Sequence, residues 1–438
     1  MKSVTLCLRG LIFIFFFSTV AVVAQPQNVD FRQAANDDNP YSTGEVHWIQ
    51  SILQQNNSLY YEGMSVPQRI LLMNIPATPG NVHTLTFSHK ATKGGKHAYD
   101  FLTSYSQVVA AANAIVGPTV MTNLNHCGEA IGPPKKAMIS ACEALRAGPH
   151  VAMVYIPEDM GTVFGHDVKT RFLKYKARFG APSLQIYGNE AFSASSHPAL
   201  VFNGYTQSGS DYIAEYTLTW TSTSSSILIE MAGHLAMGDD VMGAGIGIGY
   251  GTGNGAGSIS GGSYHFRLGK LDGNALGSQD NQIMSATVLQ SISCSTVGAN
   301  VLCTGTQNTY TYDNSASGLT YSWSLSGNTS GAFIVGSTTG QSVVVDAGNQ
   351  IGEYTLTVII RDGVQTISCP YYVTVNGVSV TASATPILCE GGTSTVTVTA
   401  SGGKQPYSGV GTFTRSAGTH EFVVTDGNGC SGSVSYTH

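Results

Sequence analysis

After Gln290 the chain is written almost entirely in short alternating runs of Val, Thr, Tyr and Ser, punctuated by Gly, Asn and Asp. Alternation with a period of two puts every second side chain on one face, so these runs can form half-buried strands and cannot form amphipathic helices. The runs Thr309–Tyr312, Thr320–Leu325, Ser342–Val345, Tyr354–Ile360 and Tyr371–Val375 are predicted strands. In Tyr-Ser-Trp-Ser-Leu the alternation turns Trp323 inward together with Tyr321 and Leu325. Residues 291–438 hold three basic and seven acidic side chains. So sparse a charge suits stacked sheets, and does not suit a helical bundle with a solvated face.

The first residues follow a different logic. Lys2 and Arg9 precede an apolar run from Leu11 to Val23, and Val22-Val23-Ala24 offers small residues ahead of Gln25. This is the pattern of a secretory signal peptide over residues 1–24, too short for a membrane span. Cleavage would leave a chain that does not span the membrane, outside the cytoplasm or on the outer cell surface. There cysteines pair by default. Those beyond Cys7 fall into three groups: Cys127 and Cys142; Cys294, Cys303 and Cys369; Cys389 and Cys430. None forms a C-x-x-C, so zinc is disfavoured, and Cys127–Cys142 is the simple pair. Their number leaves one unpaired. A Cys, an inward Trp and a later Cys over residues 291–376 give an Ig-like pattern, with Cys369 joined to Cys303 or Cys294.

Residues 27–290 are richer in charge and histidine. Tyr212, Ala214, Tyr216, Leu218 and Trp220 share one strand face, and Ser226–Met231 is expected as the antiparallel partner. Lys135–Ala147 and Lys169–Arg178 read as short inserted helices. The fold class is therefore all-β: an N-terminal β-sandwich domain with small helical insertions, then two Ig-like β-sandwich modules in series, at 291–376 and 378–438. The run Gly243–Gly262 has glycine spacing reminiscent of a dinucleotide loop. With no helix able to follow so many glycines, it reads as a loop between strands.

Two family resemblances follow from particular residues. The order Tyr321-x-Trp323, Gly352-x-Tyr354-x-Leu356-x-Val358 and a final Val373-Thr-Val375 resembles the PKD-like, Ig-like repeats of bacterial surface proteins. In the last module, Cys389-Glu-Gly391-Gly392, Gly402-Gly-Lys-Gln-Pro406-Tyr407 and Val424-Thr-Asp426-Gly-Asn-Gly-Cys430 resemble the SprB repeat of gliding-motility and adhesin-like proteins of Bacteroidota. That resemblance implies a small β-module stapled by Cys389–Cys430, and a role in cell adhesion. It also implies a longer protein, with more repeats following His438. Segments such as Lys96-His97-Ala-Tyr99-Asp100-Phe-Leu and Ala232-Gly-His234-Leu-Ala resemble the β-rich N-terminal domains of large bacterial surface proteins, for which no activity is implied.

Chemistry-bearing residues are few. Asp239, Asp240, Asp272, Asn274, Asp280 and Asn281 form a local excess of oxygen donors, a candidate calcium set. His234 and His265 lie on strands expected to be neighbours, near Asp239 and Asp240, as a candidate acid–base or metal pair. His89, Lys90, Lys93, Lys96 and His97 make a basic turn suited to an anionic glycan. Tyr60, Tyr61, Tyr99 and Tyr105, if exposed on one sheet, would suit sugar binding. Glu62 and Asp100 stand as isolated acids. No G-x-S-x-G or H-E-x-x-H occurs. With a net charge of −6 and no basic cluster, nucleic acid is excluded as a partner. The leading expectation is an exported, non-catalytic adhesin-like protein that needs no cofactor and meets surface glycans or proteins. The alternatives are a glycan-binding component of a polysaccharide-utilisation system, and a secreted hydrolase with its site in residues 27–290.

Overall fold

A computed structural model of the chain describes residues 28–117, 120–128, 136–158, 160–238, 249–251, 253–290, 292, 294–313, 318–363 and 366–438. The expected leader at 1–24, Asp239, Asp240 and part of the glycine-rich run lie outside them. The fold is all-β, as expected.

Two facing sheets build the first domain. One runs, in spatial order, His47–Ile49, Asn28–Ala35, Ser65–Met73, Ser226–Leu235, Ser183–Gly188 and Val151–Tyr155, with Tyr99–Thr103 also paired to Ser226–Leu235. The other runs Ala199–Ser208, Asp211–Thr221, Val82–Lys90, Ser263–Leu271 and Asn274–Ala275, with Asp280–Met284 beside Ser263–Leu271. Their inner faces meet in one core that includes Ile70, Leu85, Phe87, Tyr216, Trp220 and Phe266. Each such side chain taken out of water contributes about 1.5–3 kcal/mol. Ala214, Tyr216, Leu218 and Trp220 are buried on one face as the alternation requires, while Tyr212 is half-buried.

The expected hairpin between Asp211–Thr221 and Ser226–Leu235 does not form. Asp211–Thr221 is paired on both sides, with Ala199–Ser208 and Val82–Lys90. The chain instead turns at Ser222–Ser224, whose hydroxyls donate to the carbonyls of Ala191 and Glu190. Ser226–Leu235 then enters the opposite sheet beside Ser65–Met73, with Ile229 opposite Ile70. Alternation fixes a strand's face but says nothing about its neighbour.

The two expected helices are Lys136–Ala147 and Val168–Phe179. The first is joined at Cys142 to Cys127 and lies with Leu71, Tyr187 and Leu228 over the outer face of the first sheet. The second is capped by the Asp167 carboxylate, which accepts from Lys169 N at 3.0 Å.

The next module packs two four-stranded sheets around Trp323, Tyr354 and Val358. Tyr310 and Tyr354 join their hydroxyls across this core at 2.8 Å. Cys369 pairs with Cys294. The last module sets Ser379–Ala384, Thr393–Ser401 and Gly411–Ser416 against the hairpin Thr419–Thr425/Ser431–Thr437. Its core rests on Val396, Val398, Phe422 and Val424.

One expected disulfide changes. Of the two partners open to Cys369, Cys294 takes it and Cys303 does not, and Cys389 does not pair with Cys430. The bond is Cys303–Cys430, and Cys389 is exposed and free. The reason is where each sulfur sits along the modules. Cys303 lies opposite Asn376, at the end of the middle module where the chain leaves it. Cys430 lies at the near turn of the last hairpin, where Gly432 packs against the Val378 carbonyl. Cys389 is at the far end, where Ile387 N donates to His438 Nε2 at 3.2 Å.

Candidate functional site

A cluster of ionisable groups inside the first domain surrounds Asp100. Strand Tyr99–Thr103 pairs with Ser226–Leu235 through a register shift between Gly233 and Leu235. That irregularity brings His234 beside Asp100, with Nδ1 2.7 Å from Oδ1. The carboxylate therefore fixes Nδ1 as the protonated nitrogen. The imidazole lies flat on Phe101, ring centres 4.3 Å apart. Its Nε2 is buried and has no partner among the described residues. Asp100 also accepts from Phe101 N at 3.0 Å and from Tyr250 OH at 3.4 Å.

Tyr250 links this pair to a second layer. The Arg171 guanidinium lies 3.8 Å from its ring centre and His97 stacks on it at 3.6 Å. Arg171 also donates to Gly249 O at 2.7 Å. His97 Nε2 meets His166 Nδ1 at 3.1 Å. Burial, reinforced by His166 and Arg171, pushes the His97 imidazole down to about 3. Burial raises the Tyr250 hydroxyl well above its ordinary range, and Asp100 adds to the effect. This arrangement can hold Tyr250 and the backbone around it by a cation, a π-stack and a carboxylate at once. An Asp–His pair is also the orienting half of a general-base system. Here both side chains are only 3% exposed.

Glu62 does the matching work on the other side. Its carboxylate accepts from Gly238 N at 2.7 Å and Gly257 N at 2.8 Å, gripping the chain just before the glycine-rich run and again within it. Gly255 must be glycine for this to happen. A Cβ there would lie 2.2 Å from Gly238 N and 2.5 Å from Glu62 Oε1. Glu62 thus anchors Gly238 and Gly257 and Asp100 anchors Tyr250, while residues 239–248 and 252 lie outside the described residues.

The calcium set does not assemble among the described residues. Asp272 Oδ2 meets His83 Nδ1 at 2.9 Å, and its Oδ1 accepts from Thr84 N. Asp280 engages His265 and Arg267. Asn281 donates to Gln68 at 2.8 Å, and Asn274 donates to Asp272 O. The Asp272 and Asp280 oxygens already serve protein donors, and no group of three or more ligating side chains occurs among the described residues. His234 and His265 are not neighbours, because they belong to opposite sheets.

The basic turn is tied to neighbouring groups rather than freely displayed. Asp211 bonds Lys90 and lies 3.7 Å from Lys93, Lys96 donates to Ser258 O, and His89 and His97 are buried. Tyr60, Tyr61, Tyr99 and Tyr105 are all buried too. They are core, since each ring fills the space beneath a strand or helix.

A further network was missed in the sequence. Across the outer face of the first sheet, Arg32, Arg69 and Glu230 stand in register. Asp30 bridges Arg32 and Arg69 at 2.8 and 3.2 Å, and Arg146 of the disulfide-pinned helix caps Glu230. The available signal was a lone charge inside an apolar run, as in Ile227-Leu-Ile-Glu230-Met. Charges are almost never fully buried unless paired.

No family model matches the chain, and no curated relative matches it. Among solved structures, it is similar to four N-terminal Ig domains of Dscam1, at 11% identity and a TM-score of 0.16, covering 48% of this chain and 57% of that one. It is similar to the D1–D4 ectodomain fragment of ICAM-5 at 13% identity and 0.21, covering 58% and 93%. It is similar to the Yersinia pseudotuberculosis adhesin InvE at 13% and 0.16, covering 56% and 67%. At such scores none of these likenesses bears on function.

Proposed function

We propose that this chain is an exported, non-catalytic surface or extracellular protein of the adhesion type, in which disulfide-tied β-modules present the N-terminal domain. The finer assignment, to the adhesin-like and gliding-motility proteins of Bacteroidota, rests on the SprB-like residues of the last module. The observation that carries the reading is the Cys303–Cys430 bond, which cross-links the two C-terminal β-modules. With Cys127–Cys142 and Cys294–Cys369 it suits an oxidising compartment. Among the described residues no helix is long and apolar enough to cross a membrane. The buried Asp100–His234 pair supports a non-catalytic role, because a general base must reach the proton it removes.

The test is protease shaving of intact producing cells, followed by non-reducing peptide mapping of what is released. Release of fragments carrying the Cys303–Cys430 cross-link is expected. Complete protection, with reduced cysteines inside the cell, would refute the reading.

A further inference from the structure

A surface cleft of about 390 Å³ opens at one end of the N-terminal domain, between the loop before His47–Ile49 and the extended segment 121–125. Tyr41, Glu45, Val46, Asn123, Leu124 and Asn125 line it. We infer that this cleft is a binding site for a neutral saccharide unit, with Tyr41 as its platform and Asn123, Asn125 and Glu45 as its hydroxyl-recognising groups. The inference rests on the adhesion reading and names the ligand class that the N-terminal domain would present itself to.

The argument begins with how the walls are held. The Tyr41 ring lies flat on His47, ring centres 4.4 Å apart and planes within 12°. His47 itself is fully buried and its Nε2 meets Asp38 at 3.2 Å. An imidazole fixed from behind leaves the tyrosine as a rigid flat wall. The opposite segment is pinned at three points by buried or backbone groups. Asn36 Nδ2 donates to Val120 O at 2.8 Å. Thr122 N donates to Gly44 O at 2.9 Å, and Trp48 Nε1 donates to Asn125 O. These bonds use the backbone of the segment and leave Asn123 and Asn125 exposed, the Asn125 amide lying against Gly128. Glu45 accepts from Ser42 N at 2.9 Å through one carboxylate oxygen, which steers the group without consuming its second oxygen. Pre-organised walls lower the ordering cost of binding.

The chemistry then selects a ligand class. A pyranose has an apolar face of C–H groups and a rim of hydroxyls. An aromatic face meets the first. Amides, which both donate and accept, and a carboxylate, which accepts, meet the second. Val46 and Leu124 supply the apolar remainder. The volume falls in the range of small-ligand sites. The only charge on the lining is negative, so acidic sugars and phosphates are disfavoured. This differs from the basic turn at Lys90–His97, whose lysines are engaged with Asp211 and Ser258 O.

The experiment uses the full chain on an array of neutral hexose and pentose oligosaccharides with uronate oligomers alongside, followed by calorimetry on the best binder. The Tyr41→Ala, Asn123→Ala and Asn125→Ala variants are compared with a Tyr155→Ala control, which removes an exposed ring elsewhere on the domain. Tyr41→Ala is expected to weaken binding tenfold or more, the asparagine variants less, and the control not at all. Unchanged melting temperatures keep the comparison clean, and Tyr41→Phe is expected to bind as the parent does. Binding to uronates alone, equal loss in the control, or no neutral glycan bound would overturn the site. If beads coated with the chain still adhere to cells while no glycan binds, the saccharide site falls and the adhesion reading stands. If they adhere to nothing, both fall.

Discussion

Cys303 and Cys430 are joined across 127 residues of sequence, with Cα atoms 5.3 Å apart, although each belongs to a different β-module. The bond closes the junction at Asn376–Val378, so the small last module does not depend on its own core alone. That core is slight, centred on four buried side chains, and modules of this size commonly need a staple.

Replacing Cys430 by Ser is expected to destabilise the last module by about 2–5 kcal/mol while the N-terminal domain melts unchanged. Urea unfolding followed by proteolysis between residues 376 and 379 reads both. Thiol titration of the parent, with the leader removed, should give a single reactive group, Cys389. Two or more free thiols would mean that one of the three bonds is absent.

Acid should weaken the N-terminal domain through two histidines. Burial pushes His89 and His97 down to about 3 from 6.5. Between those values the unfolded chain binds more protons than the folded one, so stability rises with pH across that window. Above 6.5 the effect is absent, and it grows as pH falls towards 3. The slope is about 1.4 kcal/mol per pH unit for each histidine. Calorimetry from pH 7 to pH 4 should show the loss, and His97→Gln should roughly halve the slope. A flat profile would show that neither ring stays neutral in the fold.

Glu62→Gln should loosen the glycine-rich segment without unfolding the sheets. The substitution exchanges two charge-assisted bonds, to Gly238 N and Gly257 N, for weaker or lost ones, a cost of about 1.5–3 kcal/mol. Hydrogen exchange at these two amides should quicken, while the amides of Ser226–Leu235 keep their protection. Gly255→Ala should produce the same pattern more severely, since its Cβ has no space.

Chelation should leave the melting temperature unchanged. Asp280 is held below the ordinary carboxylate range: burial pushes it up, but His265 and Arg267 outweigh that through hydrogen bonds and charge. Its stabilising contribution is present above the unfolded value near 4 and is lost as pH falls through the lower folded value. A rise in melting temperature on adding calcium would show that another oxygen set, outside Asp272 and Asp280, binds it.

Much of the fold was legible because half-buried strands write their own period. Trp323, Tyr354 and Val358 turned inward as the alternation required, and both expected helices formed close to their expected bounds, while a third helix, Val108–Val116, was not foreseen. Partnership was not legible. Ser226–Leu235 crosses to the opposite sheet, and Cys430 reaches past Cys389 to Cys303, because neither period nor spacing encodes which neighbour is met in space. Asp100 and His234, 134 residues apart, left no joint signal at all. The tyrosines went astray for a related reason: an aromatic suits a buried face as well as a displayed one.

The central claim, adhesion by a covalently joined array, is tested most directly by bead retention under flow. Beads carrying the full chain should be held on a cell or polysaccharide surface. A double replacement of Cys303 and Cys430 by Ser should detach at lower shear while attaching equally at rest. Failure of the parent beads to be retained on any surface, or retention that ignores the disulfide under load, would contradict the account.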